Sequence, residues 1–135
     1  MTSSVMESAE IALAVDAVRA AAKLVRTIQT EMVTPALTKD DRSPVTVADF
    51  AAQAVVAKLL SDQLPGAVLV GEEDADELRQ DGSRDALEAV TKFVAREIPG
   101  ATRDDVCAWI DAGAAEPTDT FWTLDPVDGT KGFLR

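Results

Sequence analysis

The sequence predicts an α/β fold of the layered α+β type, with helices packed on an incomplete sheet. Three observations support this prediction. Four stretches carry apolar residues at helical spacing, two short apolar runs are typical of strands, and turn residues separate most of these elements. No repeat, low-complexity tract or internal boundary divides the chain, so we expect one domain. Because a sheet of two strands is only marginally stable, we expect it to continue after Arg135.

The first half of the chain predicts two helices. The first spans about residues 4–32 and is rich in alanine, which favours helix. Its predicted apolar face contains Ala14, Val15, Val18, Ala22, Val25 and Met32. A polar loop at 38–44 follows, and a second helix is predicted over 47–64, with Thr46 as its N-cap and Asp49 in its first turn.

The second half predicts two short strands and two more helices. Residues 67–71 are apolar and partly β-branched, and they predict a buried strand, as do residues 121–124. The polar segment 75–84 is predicted to be a loop. Helices are predicted at 83–98 and 102–113, and each begins with a hydroxyl residue suited to an N-cap.

The composition excludes several classes of function. The formal net charge of −11 would repel nucleic acids and acidic membranes, so we expect neither as a partner. The chain contains no histidine, which excludes Ser-His-Asp hydrolases and His-ligated zinc, and its single cysteine, Cys107, excludes an internal disulfide. No apolar run approaches a membrane span and no secretory signal stands at the start. A cytoplasmic location is therefore expected by default, or an organellar one if a leader is missing.

The segment from Asp125 to Thr130 is the most informative motif. Two carboxylates, Asp125 and Asp128, flank Pro-Val and are followed by Gly129 and Thr130. Taken alone, the pattern favours a turn after a strand, because Pro, Asp and Gly suit turns. A turn, however, requires neither both aspartates nor a hydroxyl directly after the glycine. Two carboxylates with a carbonyl between them can present hard oxygen ligands to divalent cations.

Two further segments carry acids where ligands are often bound. Residues 71–74, Gly-Glu-Glu-Asp, follow the first predicted strand, and open α/β sheets bind ligands at that end of their strands. Taken alone, this segment is better explained as a solvated acidic loop. Asp49 either stabilises a helix N-terminus or orients a water molecule. Together the three segments fit a metal-dependent phosphomonoesterase that uses Mg²⁺.

These segments resemble the two metal-binding motifs of the lithium-sensitive, magnesium-dependent phosphatase superfamily. That superfamily includes inositol monophosphatases, inositol polyphosphate 1-phosphatases, fructose bisphosphatases and bisphosphate nucleotidases. Residues 39–49, 72–79 and 128–135 are most similar to 3′(2′),5′-bisphosphate nucleotidases of the eukaryotic type. The resemblance implies an αβαβα sandwich of the sugar-phosphatase type. Residues 1–135 would be its N-terminal portion, with the C-terminal half absent.

The resemblance also implies roles for individual residues. It implies four metal-ligating positions, which are Glu72, Asp125, Asp128 and the backbone carbonyl of Val127. It implies three catalytic side chains: Asp49 and Thr130 activate the attacking water, and Glu73 supports that pair from beside Glu72. The backbone amides of Gly129 and Thr130 are implied to contact the substrate phosphate.

The implied reaction removes the 3′-phosphate of adenosine 3′,5′-bisphosphate (PAP) to give AMP, with Mg²⁺ as cofactor. The resemblance implies the sulfated nucleotide PAPS, converted to APS, as a second substrate, together with lithium sensitivity and a place in sulfur metabolism. The expected partner is thus a small phosphorylated nucleotide, and the oligomeric state stays open. We expect the 135 residues alone to be inactive. Two alternatives remain: an inositol polyphosphate 1-phosphatase or inositol monophosphatase, and a truncated, non-catalytic paralogue that binds or regulates a partner.

Overall fold

The computed structural model describes residues 2–35, 41–127 and 130–134, and of residues 2–7, 130 and 131 it describes the backbone alone. These residues form six α-helices, one 3₁₀-helix and two short strands. Their order is α1 (Thr2–Met32), α2 (Ser43–Gln63), β1 (Leu69–Val70), α3 (Asp76–Arg79), the 3₁₀-helix (Asp81–Ser83), α4 (Arg84–Glu97), α5 (Arg103–Ala112), β2 (Trp122–Thr123) and α6 (Thr130–Phe133). The predicted α/β class is confirmed, with helices as the larger part.

Helix α1 buries a face that coincides only in part with the predicted one, since Val25 and Met32 pack, partly buried, against the core as predicted. Its buried apolar side chains are Leu13, Ala17, Leu24 and Ile28. Val15 and Val18, which were predicted to face the core, are 42% and 64% exposed. Both sets have helical spacing, because an alanine-rich helix offers more than one apolar stripe. Packing of α1 against α2 and α4 decides which stripe is buried.

Helix α2 begins earlier than predicted. Its first residue is Ser43, and the Thr46 amide donates a hydrogen bond to the Arg42 carbonyl at 3.1 Å. Thr46 therefore lies inside the helix, and its prediction as the N-cap was wrong. Pro44 favours the earlier start, because proline has no N–H group and the N–H groups of a helix's first turn have no hydrogen-bond partner within the helix. Asp49 consequently lies in the second turn rather than the first.

Helix α2 is the central element of the fold. It contacts α1, α4 and α5, and its side chains form much of the core. Among the described residues it is also the helix that is long and apolar enough to cross a membrane. The sequence patterns predicted no apolar run of that length. However, 72% of its most apolar window is buried inside the protein. Burial of this kind is what the core helix of a globular fold requires.

The two strands are parallel neighbours and place the two acidic motifs side by side. Leu69 pairs with Trp122, and Val70 pairs with Thr123. Each strand has two residues and is shorter than predicted, and Val70 is only partly buried. Because the strands are parallel, their carboxyl ends lie at the same edge of the sheet. The chain therefore leaves both strands toward one region of the surface.

The segment predicted as loop at 75–84 instead forms α3 and the 3₁₀-helix, with Leu78 buried in the core. Ser83 occupies the N-cap position of α4 but makes no capping hydrogen bond with its side chain. The predicted cap of α5 is confirmed. The Asp105 amide donates to Thr102 Oγ1 at 3.1 Å, and the Thr102 amide donates to Asp105 Oδ2 at 3.0 Å.

Thr102→Ala is expected to lower the free energy of unfolding by about 1 kcal/mol, because the Asp105 amide loses its acceptor. Urea unfolding of the variant and the wild type measures the difference. Thr27→Ala is the matched control, since the Thr27 hydroxyl donates to the Lys23 carbonyl of its own helix at 3.0 Å and caps nothing. Equal losses in the two variants would show that the capping box is not the cause.

Candidate functional site

Three elements bring acidic residues to the carboxyl edge of the sheet. Asp49 comes from α2, Glu72 and Glu73 follow β1, and Asp125 follows β2. Asp49 and Glu73 are partly buried, whereas Glu72 and Asp125 are exposed. Four of the residues predicted to form the site are therefore drawn from three separate parts of the chain.

The Asp49 carboxyl lies in a strongly negative environment. Burial raises its pKa to about 7, and the charges of Glu73, Glu72 and Asp125 reinforce the increase. A hydrogen bond from the Val127 amide acts in the opposite direction. Like charges raise the pKa of a carboxyl in this way only when they lie near it. The four acids are therefore neighbours in the structure, and a bound cation would relieve their repulsion.

Glu73 shows the same effect from a second element. Burial raises the pKa of its carboxyl, and the charges of Glu77, Glu72 and Asp74 add to the increase. Partly buried carboxyls with raised pKa values are uncommon on ordinary solvated loops and cluster at functional sites. The interpretation of residues 71–74 as a merely solvated acidic loop therefore does not describe Glu73.

The donors fit a hard divalent cation by their chemistry, since Mg²⁺ prefers carboxylate and carbonyl oxygens. They do not form a closed cage: among the residues that the structure describes, no three Asp, Glu, Cys or His side chains are grouped to hold an ion. The predicted ligand Asp128 and the phosphate-contacting Gly129 lie outside the described residues, as does the side chain of Thr130. Val127 is placed beside Asp49 through its amide, and its role as a carbonyl ligand stays a prediction.

Two residues that the sequence patterns did not single out anchor the acidic loop, residues 71–75. Gln53, in α2, hydrogen-bonds to both the amide and the carbonyl of Glu73. Asp111, in α5, accepts from the Ala75 amide at 2.9 Å. A signal for Gln53 was present, because it is a single polar residue within an apolar helical stretch, four positions after Asp49.

A third missed contact fixes α6, whose first residue is Thr130. Gln29 Nε2, in α1, donates to the Phe133 carbonyl at 2.8 Å, and the Phe133 side chain is buried in the core. The short helix is therefore tied to the opposite end of the sequence. Its backbone begins three residues after Val127, close in the chain to the candidate site.

Comparison with known proteins identifies the family. The model of the inositol monophosphatase family matches residues 6–135, which is nearly the whole chain. The chain belongs to the inositol monophosphatase family. The resemblance inferred from the motifs is thereby confirmed, and with it the α/β sandwich class of the family. The family is generally metal-dependent, which agrees with the chemistry of the converging acids.

Similar proteins with curated names narrow the comparison. The 3′(2′),5′-bisphosphate nucleotidase 1 of Arabidopsis thaliana is 42% identical over 139 residues, which cover 93% of this chain and 39% of that protein. The 3′(2′),5′-bisphosphate nucleotidase of Schizosaccharomyces pombe is 40% identical, over 94% of this chain and 40% of that protein. The Oryza sativa protein of the same name is 38% identical, over 95% of this chain and 39% of that protein. The chain thus spans 39–40% of the length of these relatives.

Proposed function

We propose that the protein containing this chain is a Mg²⁺-dependent phosphomonoesterase that removes the 3′-phosphate of PAP to give AMP, with PAPS as a second substrate. The observation that carries the proposal is the convergence of Asp49 with Glu72, Glu73 and Asp125 at one edge of the sheet. Membership of the inositol monophosphatase family supports the reaction type. The names of the similar proteins support the nucleotide substrate.

The proposed mechanism divides the tasks among three groups of residues. Glu72, Asp125, Asp128 and the Val127 carbonyl would hold Mg²⁺, which supplies positive charge for the phosphate oxygens when it is bound. Asp49 and Thr130 orient the attacking water, and Asp49 accepts its proton. A carboxyl with a pKa near neutrality in the metal-free protein is suited to that task. Glu73 supports this network, and the amides of Gly129 and Thr130 contact the phosphate.

Residues 1–135 by themselves are proposed to hold only part of this machinery. The chain spans 39–40% of the length of the similar 3′(2′),5′-bisphosphate nucleotidases. We therefore expect little phosphate release from the purified 135-residue chain. Robust, Mg²⁺-dependent release from that material would contradict the proposal.

A substrate panel tests the function of the complete protein. Phosphate release is measured with PAP, PAPS, inositol 1,4-bisphosphate and inositol 1-phosphate, each with Mg²⁺, with EDTA and with added Li⁺. We expect PAP to be hydrolysed fastest, only with Mg²⁺, and with inhibition by Li⁺. AMP is the control substrate, because it carries no 3′-phosphate and should be left intact.

The other outcomes separate the alternatives. Preference for an inositol phosphate would replace the nucleotidase assignment by an inositol phosphatase within the same family. Failure to hydrolyse any substrate, together with stable association with a longer homologous subunit, would favour a regulatory paralogue. The proposed cytoplasmic location, with an organellar one as the alternative, is independent of this assignment, and cell fractionation tests it. The proposed role in sulfur metabolism rests on the nucleotidase assignment, and PAP accumulation in a deletion strain tests it.

A further inference from the structure

Gln53 is a polar side chain with no exposed surface, held within the core between α2 and the acidic loop. Its Nε2 donates to the Glu73 carbonyl at 2.7 Å and to the Ile110 carbonyl at 2.8 Å. Its Oε1 accepts from the Glu73 amide at 3.1 Å. The side chain therefore pairs with both backbone groups of Glu73, as a neighbouring strand would.

Two glycines create the space for this carboxamide. A Cβ at Gly71 would lie 2.3 Å from Gln53 Oε1, and a Cβ at Gly113 would lie 2.6 Å from Nε2, closer than real Cβ atoms approach. The Gly71 amide also donates to the Gly113 carbonyl at 2.6 Å. The end of β1 and the end of α5 thus meet on one side chain of α2.

We propose that Gln53 is a positioning residue that fixes the acidic loop relative to Asp49. Asp49 and Gln53 are four residues apart in α2 and lie on the same face of the helix. The same rigid helix therefore carries one acid of the site and the group that holds another acid, Glu73, in place. The inference rests on the proposed function, because it assigns Gln53 a role in the Mg²⁺ site.

The Gln53 carboxamide does more than fill space in the core. An apolar side chain at this position would fill the core, but it would leave the amide and carbonyl of Glu73 without partners in a partly buried loop. A fully bonded carboxamide instead specifies one loop conformation, since satisfied buried polar groups are costly to rearrange. That conformation holds Glu73, and with it the adjacent Glu72, at the carboxyl end of β1.

The test compares Gln53→Met with Val94→Ala in the complete protein. Methionine keeps the length of the side chain without its hydrogen bonds, and Val94 is an equally buried residue of α4 outside the acidic loop. Mg²⁺ binding is measured by calorimetry, and hydrogen exchange of the Glu73 amide is measured without Mg²⁺. We expect Gln53→Met to weaken Mg²⁺ binding about ten-fold or more and to accelerate Glu73 exchange. Val94→Ala should lower Tm and leave Mg²⁺ binding unchanged.

Should Gln53→Met fail to fold, Gln53→Asn carries the same test, because it keeps the amide on a side chain one methylene shorter. If a Gln53 variant kept its Mg²⁺ affinity while its Tm fell as in Val94→Ala, Gln53 would be a core residue with no positioning role. A wild type that binds Mg²⁺ but leaves PAP intact would overturn the substrate assignment and not the positioning role. A wild type that binds no Mg²⁺ would overturn the metal site and the role of Gln53 in it.

Discussion

Asp49→Asn is expected to stabilise the metal-free protein at pH 8 while lowering the PAP phosphatase activity of the complete protein about a thousand-fold. The loss of activity follows because asparagine cannot accept a proton from the attacking water. The gain in stability follows because asparagine carries no charge into a site where burial, and then the charges of Glu73, Glu72 and Asp125, disfavour the Asp49 carboxylate. After allowance for solvent screening, we expect a gain of about 1 kcal/mol.

The stability gain should depend on pH with a defined sign. The pKa of Asp49 is about 7 in the fold, above its ordinary value of 3.8. Between these two pH values the folded state therefore retains a proton that the unfolded state has lost. The carboxylate therefore costs nothing below about pH 4, and its cost grows until the pH passes about 7. The advantage of Asp49→Asn should be full at pH 8 and vanish toward pH 4.

Chemical unfolding in EDTA from pH 4 to pH 8 measures this dependence. Asp62→Asn is the matched control, because Asp62 lies at the exposed end of the same helix and forms a surface ion pair with Lys58. Asp62→Asn should give no stability gain that grows with pH, and the variant should keep the PAP phosphatase activity of the wild type. Asp49→Asn with no stability advantage at pH 8 would show that neither burial nor the neighbouring acids disfavour the Asp49 carboxylate in solution. Retained activity would remove Asp49 from the mechanism.

Asp125→Asn is expected to lower kcat/KM for PAP by a hundred-fold or more and to raise the Mg²⁺ concentration required for half-maximal activity. The reason is that Asp125 lies two residues after the end of β2 and contributes negative charge at Asp49. Removing that charge weakens the attraction for a divalent cation. It should also lower the pKa of Asp49 in the metal-free protein, which NMR titration of the carboxyl can follow.

Asp119→Asn provides the control for Asp125→Asn. Asp119 is an exposed acid in the loop before β2, so its replacement makes the same change in net charge away from the site. We expect the activity and the Mg²⁺ requirement of Asp119→Asn to match those of the wild type. If Asp125→Asn behaved in the same way, with unchanged Mg²⁺ dependence, its assignment as a metal ligand would be wrong.

The local features of the fold were largely accessible from the sequence. The stop of α1 before Pro35, the Thr102 cap and the positions of both strands follow from chemistry within a few residues. The start of α2 was misjudged, because Pro44 outweighed the polar residue Thr46 as a start signal. Boundaries of this kind depend on competition between neighbouring signals, which a single pattern does not resolve.

The identity of the candidate acids was also accessible from the sequence, but their mutual arrangement was not. Asp49, Glu72 and Asp125 were identified from their positions after strands and within a helix. The tertiary structure alone shows that burial, together with the charges of the neighbouring acids, raises the pKa of Asp49 to about 7. A pKa depends on distance and solvent access, and neither quantity is written in sequence spacing.

By itself the sequence determined the family, the acidic motifs and most of the helices, because backbone hydrogen bonding and periodic burial are encoded locally. The tertiary structure alone decided which stripe of α1 is buried and that Gln53 hydrogen-bonds to the backbone of Glu73, 20 residues away in the chain. Both outcomes depend on which surfaces meet when the chain closes on itself. An apolar stripe or a buried amide has many possible partners in a sequence and one set of partners in a fold.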